Sequence, residues 1–257
     1  MSQELLTRQA TQAPSKTSPT RWFSRWPSDR VIFVSVLSVY VALTAAVVVG
    51  SPLDALDHTA AAMKLSQRFP HVTPWVFNYV IVGQRGPSSV VAAVYLAWRA
   101  WRMRSWRPLV MLASALVLLN VGVGVVKLAI GRLGPSLTIH PRAVFEGGDI
   151  FPSGHTSNAV VIFGVLAIVA VRYRRAMISL AVVVSTTIGL GTVFLDTHWV
   201  TDVLGGWLAG ILVLLVLPAV TTRAEMWLAR VRMSYAHRAR IPVGASRNRF
   251  QGQRDTG

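Results

Sequence analysis

His198 and Asp202, in the stretch "HWVTD", have the residue types and the spacing of a catalytic pair. On a helix, residues four apart lie on the same face. A carboxylate that bonds one ring nitrogen fixes the tautomer of an imidazole and leaves the other nitrogen free as a nucleophile or base. The pair therefore predicts chemistry centred on His198.

A second polar group opens an apolar run in "FPSGHTSNAV", residues 151–160. Ser153, Gly154 and His155 are explained either as a turn with a helix cap or as half of a reaction centre. Glycine lets backbone N–H groups approach an anion at a helix N-terminus, where the helix dipole favours negative charge. His155 is suited to act as a general acid. Lys127, near the end of another apolar run, adds a positive charge.

Together these residues predict phosphoryl transfer: a nucleophilic histidine, an orienting carboxylate, an acidic histidine, a cation and an anion-binding turn. The alternative is a metal site, since two histidines and an aspartate can hold zinc. Lys127 would repel that metal, so no metal is expected.

The composition predicts a helical membrane protein. The chain has 257 residues, of which 53% are hydrophobic and 14% charged, whereas soluble domains have about 25% charged residues. Several apolar runs approach the ~20 residues that span a bilayer. The absence of cysteine excludes disulfides and thiol catalysis.

We expect an all-α, polytopic bundle of six transmembrane helices with the active site at its outer face. Residues 1–29 are predicted to be a disordered or interfacial tail, 30–222 the six-span core and 223–257 a basic cytoplasmic tail. Residues 51–74 are predicted to form an interfacial amphipathic helix. The spans are expected at residues 31–50, 75–98, 109–130, 153–171, 177–195 and 202–220.

The second of these spans is interrupted by "GQRGP", residues 83–87. Arg85 is therefore either a functional charge within the membrane or an interfacial residue before a span that begins near Gly86.

The net charge of +16 allows two interpretations, nucleic-acid binding or membrane orientation. Basic residues concentrate at the N-terminus, at 99–107, at 172–175 and in the C-terminal tail, all on one side of a six-span chain. This pattern follows the positive-inside rule and places that side in the cytoplasm of a cell-membrane protein. No nucleic-acid partner is expected, and the candidate site then faces the extracytoplasmic side.

The motifs resemble those of the type 2 phosphatidic acid phosphatase superfamily, integral-membrane lipid phosphatases related to vanadium haloperoxidases. Its motifs are Lys-x6-Arg-Pro, Pro-Ser-Gly-His and Ser-Arg-x5-His-x3-Asp, in this order. The second is complete at residues 152–155. Lys127 and Pro135 match the first, and His198 and Asp202 match the third.

The resemblance implies that His198 forms a phosphohistidine, that Asp202 orients it and that His155 protonates the leaving oxygen. It also implies that Lys127, Ser153 and the Gly154 N–H hold the phosphate, and that no metal or other cofactor is needed.

Two arginines of the family motifs are missing. Gly134 occupies one position, and Gly191 and Thr192 occupy the Ser-Arg pair. Arginine forks bind phosphate oxygens in a bidentate manner. Arg132 is the expected substitute, with Arg85, Arg142 and Thr192 as possible auxiliary residues.

The leading function is hydrolysis of a lipid-linked phosphate or pyrophosphate at the outer membrane face, with a lipid phosphate and membrane lipids as partners. Polyprenyl (pyro)phosphate, phosphatidic acid and phosphatidylglycerol phosphate are all candidate substrates, and the oligomeric state is open. The alternatives are phosphoryl transfer to another acceptor, binding of lipid phosphate without turnover, and transport or scaffolding.

Overall fold

The structure is a computed structural model that describes residues 26–170 and 172–240. These residues form helices and connecting loops without a strand, which confirms the all-α prediction. Of the predicted terminal tails, residues 1–25 and 241–257 lie outside the described residues, whereas residues 26–29 and 223–240 belong to helices. The helices are α1 Trp26–Val49, α2 Leu53–Ala62, α3 Leu65–Arg68, α4 Thr73–Val80, α5 Arg85–Met103, α6 Arg107–Ile130, α7 Gly154–Val169, α8 Arg174–Phe194 and α9 Val200–Arg240.

The expected count of six spans is not exact. By length and composition, four segments within the described residues can cross a membrane: Arg30–Val49, Arg107–Ile130, Arg174–Phe194 and Val200–Tyr235. Helix α7 is shorter, with 16 residues. Helix α5 has 19 residues, but arginines near both of its ends make it less apolar.

The second span begins at Arg85 rather than at residue 75. Helix α4 ends at Val80 and a 3₁₀ turn covers Ile81–Gly83. Gln84 then adopts extended backbone with ψ 142°, which breaks the helical path before α5. Arg85 therefore lies at a helix N-terminus and not within a continuous span, as the interfacial alternative predicted.

The core lies between α5, α6, α7 and α9. Leu96, Leu119, Ile162 and Leu217 are each at most 2% exposed there. Helix α9 also comes close to the start of α7, because Gly206 has no side chain: a Cβ would lie 2.7 Å from the Ser153 carbonyl oxygen. Small residues permit this close packing of membrane helices.

The long helices alternate in direction, so the two ends of the bundle differ. We call one the pocket end, where α6 stops and α5, α7 and α9 start. We call the other the basic end, which contains the loops around Arg104 and Arg172. Asn158 fixes the pocket end by donating hydrogen bonds to Gly83 O and Ser88 Oγ at 3.0 and 2.7 Å. At the basic end, Arg99 Nη2 donates to Val169 O at 3.3 Å.

Candidate active site

His198 lies in the turn between α8 and α9, and Asp202 lies in the first turn of α9. The distance from His198 Nδ1 to Asp202 Oδ2 is 3.6 Å. Nδ1 is buried, and no hydrogen-bond partner is found for it among the described residues. This distance is too long for a hydrogen bond, although catalytic contacts are often long before substrate binds. The carboxylate therefore lies beside the imidazole, and the hydrogen bond between them stays a prediction.

The Asp202 carboxylate is held from two directions. Its Oδ2 accepts a hydrogen bond from the Trp199 N–H at 2.8 Å, which is half of a capping box at the start of α9. Its Oδ1 accepts one from Arg132 Nη1 at 2.5 Å. Because the side chain is fully buried and anchored at both oxygens, its direction toward His198 is fixed.

Ser153 is the N-cap of α7. Its hydroxyl oxygen accepts hydrogen bonds from Thr156 N and Thr156 Oγ1, at 3.4 and 2.9 Å. Its own N–H donates to the Asp202 carbonyl oxygen at 2.9 Å, so the turn is joined directly to α9. The buried hydroxyl thus fits the helix-cap interpretation, whereas Gly154 and His155 line the adjacent cavity.

A cavity of about 410 Å³ at the pocket end is lined by five of the ten predicted site residues. His155 and His198 share it, with ring centroids 6.1 Å apart. The N-termini of α5 and α7 both reach the cavity, and helix N-termini carry partial positive charge. The site is therefore suited to an anion. Its lining residues are Gly83, Gln84, Arg85, Lys127, Asp149, Ile150, Gly154, His155, Thr197 and His198.

Lys127 enters this cavity from the last turn of α6. Its Nζ donates a hydrogen bond to the Asp149 carbonyl oxygen and lies 4.0 Å from the Asp149 carboxylate, which is 81% exposed. A Cβ at Gly154 would lie 3.6 Å from Lys127 Cε. The glycine therefore leaves open the space between the ammonium group and the first turn of α7.

Arg132 is not in the cavity. It is fully buried behind Asp202, and its guanidinium donates to Asp57 and Asp202 at 2.7 and 2.5 Å. Further bonds reach Thr201 Oγ1 at 2.7 Å and Pro141 O at 2.9 Å. Because two carboxylates already bind its guanidinium, Arg132 does not have the environment expected of a phosphate ligand.

Asp57 is the site residue that the sequence analysis missed. Besides Arg132, its carboxylate accepts hydrogen bonds from Thr201 N at 2.9 Å and from Thr201 Oγ1 at 2.5 Å. Burial raises the pKa of Asp57 above its ordinary value, whereas the bonds from Thr201 and Arg132 lower it. In the sequence, the signal that could have identified Asp57 was its position on the apolar face of α2, three residues before Ala60 and four after Leu53.

The remaining auxiliary candidates differ in position. Arg85 lines the cavity. Arg142 instead pairs with Asp54, and its side chain is 62% exposed. Thr192 is buried, and its hydroxyl donates to the Gly189 carbonyl oxygen of its own helix at 2.7 Å. Arg85 is therefore the one among these three that the fold brings to the histidines.

The described residues hold no group of three or more His, Cys, Asp or Glu side chains that could bind a metal ion. The expectation of a metal-free reaction itself stays a prediction.

The fold and the site together define an all-helical, multi-pass membrane protein in which His198, with the buried Asp202 beside it, lines a cationic cavity. Residues 106–226 match the model of the PAP2 superfamily. This match, a little under half of the chain, supports membership of the type 2 phosphatidic acid phosphatase superfamily.

Two relatives illustrate the similarity. Phosphatidylglycerophosphatase B of Bacillus subtilis is 36% identical over 76 residues, which cover 27% of this chain and 37% of that protein. The crystal structure of a transmembrane PAP2 type phosphatidylglycerolphosphate phosphatase from Bacillus subtilis superposes with a TM-score of 0.62 at 23% identity. It covers 74% of this chain and 96% of that one, and this likeness supports the same fold.

Proposed function

We propose that this protein is a membrane phosphatase that hydrolyses a lipid-linked phosphate or pyrophosphate through a phosphohistidine. One observation carries the proposal: His198, backed by the buried Asp202, shares a cavity with His155 and two cations. The similarity to bacterial phosphatidylglycerophosphatases supports a lipid phosphate as the substrate class.

The reaction has two steps. In the first, the free ring nitrogen of His198 forms a bond to phosphorus while the bond from phosphorus to the leaving oxygen breaks. Protonated His155 gives its proton to that oxygen. In the second, water forms a bond to phosphorus while the bond from phosphorus to His198 breaks, His155 accepts the proton of the water, and inorganic phosphate leaves.

Charge stabilisation falls to the cavity cations. Phosphoryl transfer depends mainly on positioned charges around the equatorial oxygens. Lys127 and the Gly154 N–H are placed for this task, and Arg85 supplies the guanidinium that the first and third motifs lack. Arg132 acts instead as a positioning residue, because it holds Asp202 from the side opposite to the cavity.

We also propose that the cavity faces the extracytoplasmic side. Arginines at 99, 102, 104, 107, 172, 174 and 175 gather at the basic end, and cytoplasmic loops carry such an excess. Because the chain has no cysteine, single cysteines report sidedness without background. Glu146→Cys should react with a membrane-impermeant maleimide in intact cells, and Arg102→Cys only after permeabilisation. The reverse labelling pattern contradicts this orientation.

The activity is tested by phosphate release from purified protein. Phosphatidic acid, phosphatidylglycerol phosphate and a polyprenyl pyrophosphate are supplied in mixed micelles. We expect release from at least one lipid, and His198→Ala should reduce it more than about 10⁴-fold, because loss of a nucleophile removes the covalent path. His71→Ala, which changes an exposed histidine outside the cavity, is the matched control.

The intermediate is tested separately. After reaction with radiolabelled substrate, protein quenched in base should retain the labelled phosphate, and protein quenched in acid should lose it. His198→Ala should carry no label under either condition. Absence of release from every lipid, or full activity of His198→Ala, overturns the proposal.

A further inference from the structure

A second cavity, of about 440 Å³, lies between α7, α8 and α9. Its size is within the range of about 300–1,000 Å³ that is typical of ligand pockets. The side chains that line it are apolar except for Arg174, Ser185, Thr186 and the indole N–H of Trp207. That N–H is already used, since it donates to the Ser185 carbonyl oxygen at 3.0 Å. The lining residues are Val160, Gly164, Ala167, Ile168, Arg174, Ile178, Ala181, Val182, Ser185, Thr186, Trp207, Ile211 and Leu214.

This apolar groove begins within the bundle and ends at the basic end. Its α8 residues lie between Arg174 and Thr186, in the first part of that helix, and its α7 residues lie between Val160 and Ile168. His198 follows the opposite end of α8. At 1.5 Å per residue, the 21 residues of α8 separate the groove mouth from the catalytic end by about 30 Å. The two cavities share no lining residue.

The mouth of the groove is positively charged. Arg174 lines both the groove and an adjoining surface cavity that contains Arg172 and Arg175. The Arg172 guanidinium also lies 5.5 Å from the centre of the Tyr173 ring. The apolar groove thus opens directly onto three arginines.

We propose that this groove binds one anionic phospholipid from the leaflet at the basic end. An acyl chain occupies the groove, and the head-group phosphate lies among Arg172, Arg174 and Arg175. Basic pockets between transmembrane helices on the cytoplasmic side have the chemistry that binds such head groups, and guanidinium groups bind phosphate oxygens in a bidentate manner. A second copy of the chain would instead bring its own arginines to the mouth.

The head-group contact is tested by native mass spectrometry of the full-length protein. The protein is released from micelles that contain either phosphatidylglycerol or phosphatidylcholine, and both lipids have the same acyl chains. Excess inorganic phosphate is present to compete for the catalytic cavity. Wild-type protein should retain one phosphatidylglycerol in preference to phosphatidylcholine. Arg174→Gln should weaken that preference about fivefold, the expected effect of one basic residue near anionic lipid.

Arg102→Gln is the matched control, since it removes an equal charge at the basic end from a residue that does not line the groove. If Arg102→Gln weakens retention as much as Arg174→Gln, diffuse surface charge explains binding and the proposal fails. The proposal also fails if wild-type protein retains both lipids equally.

The acyl-chain contact is tested with Ala181→Leu, which fills the groove without changing charge. Retention of phosphatidylglycerol should fall at least tenfold, whereas Val183→Leu should have no effect. Val183 lies on the same helix, is 58% exposed and is outside the groove. Unchanged retention in Ala181→Leu, with the wild-type elution volume preserved in gel filtration, overturns the proposal. If Ala181→Leu does not fold, the two arginine variants decide.

Discussion

Two charged regions meet at the His198–Asp202 pair, and they use their charges differently. Behind Asp202, Arg132 is enclosed by Asp57 and Asp202, and all three side chains are buried. In front of His198, Lys127 and Arg85 line an open cavity in which Asp149 is the one carboxylate among the lining residues. The first region surrounds one cation with two carboxylates, and the second has an excess of positive charge.

This difference indicates what each region does. A buried ion pair stabilises a structure weakly relative to an apolar core, but removal of one partner leaves an uncompensated charge. Such a network therefore fixes geometry, here the direction of Asp202. Cations that face water without enough carboxylates remain available to an anionic ligand. Loss of the buried network should reduce stability, whereas loss of the cavity cations should reduce turnover.

Among the residues that distinguish the two regions, the largest effect is expected from Arg132→Ala. It leaves Asp57 and Asp202 buried without their cation, which should lower the free energy of unfolding by about 3–5 kcal/mol. Thermal unfolding in detergent measures this loss. Arg142→Ala is the control, because its pair with Asp54 is exposed on the arginine side and should contribute no more than about 1 kcal/mol. Equal melting temperatures for the two variants would contradict the role of the buried network.

Lys127→Ala should produce the next largest effect, on turnover. Removal of one preorganised charge from the transition state should reduce kcat by about 10²–10³-fold. Stability should change little, since the Asp149 carboxylate left behind is exposed to water. Phosphate release and thermal unfolding of the same preparation separate the two quantities. A variant that melts early but retains kcat would place Lys127 with the buried network instead.

Arg85→Ala should have a smaller effect, because Arg85 lies at the exposed rim of the cavity. Loss of a charge-assisted hydrogen bond to phosphate should reduce kcat/KM about tenfold, with an unchanged melting temperature. Arg68→Ala removes another exposed arginine, outside the cavity, and should leave kcat/KM as in the wild type. If Arg85→Ala is equally active, the missing motif arginines have no replacement at this position.

Thr192→Val should have the smallest effect. The Thr192 hydroxyl bonds within its own helix and does not line the cavity. We expect turnover to change less than about twofold and the free energy of unfolding to fall by about 1 kcal/mol or less. Loss of turnover at unchanged stability would show instead that Thr192 takes part in phosphate binding.

The chemistry-bearing residues could be identified from the sequence because their arrangement is local. Four residues along one chain segment suffice to bring His198 toward Asp202, and the turn at 152–155 ends in a helix N-terminus for the same reason. The long apolar helices followed from length, and a helix within residues 51–74 followed from periodicity. The predicted single helix is divided at Lys64, whose φ of 46° separates Leu53–Ala62 from Leu65–Arg68. The start of α5 could not be predicted in this way, because residues 75–98 are apolar on both sides of the break at Gln84.

The sequence by itself determined an all-helical membrane chain and a histidine–aspartate pair near a polar helix N-terminus, since composition and short spacings carry that information. Only the tertiary structure decided which arginine serves which region. Arg132 lies five residues after Lys127, yet its partners Asp57 and Asp202 are 75 and 70 residues away along the chain. Because burial and ion pairing are set by packing between distant helices, they withdraw Arg132 from the cavity and leave Arg85 within it.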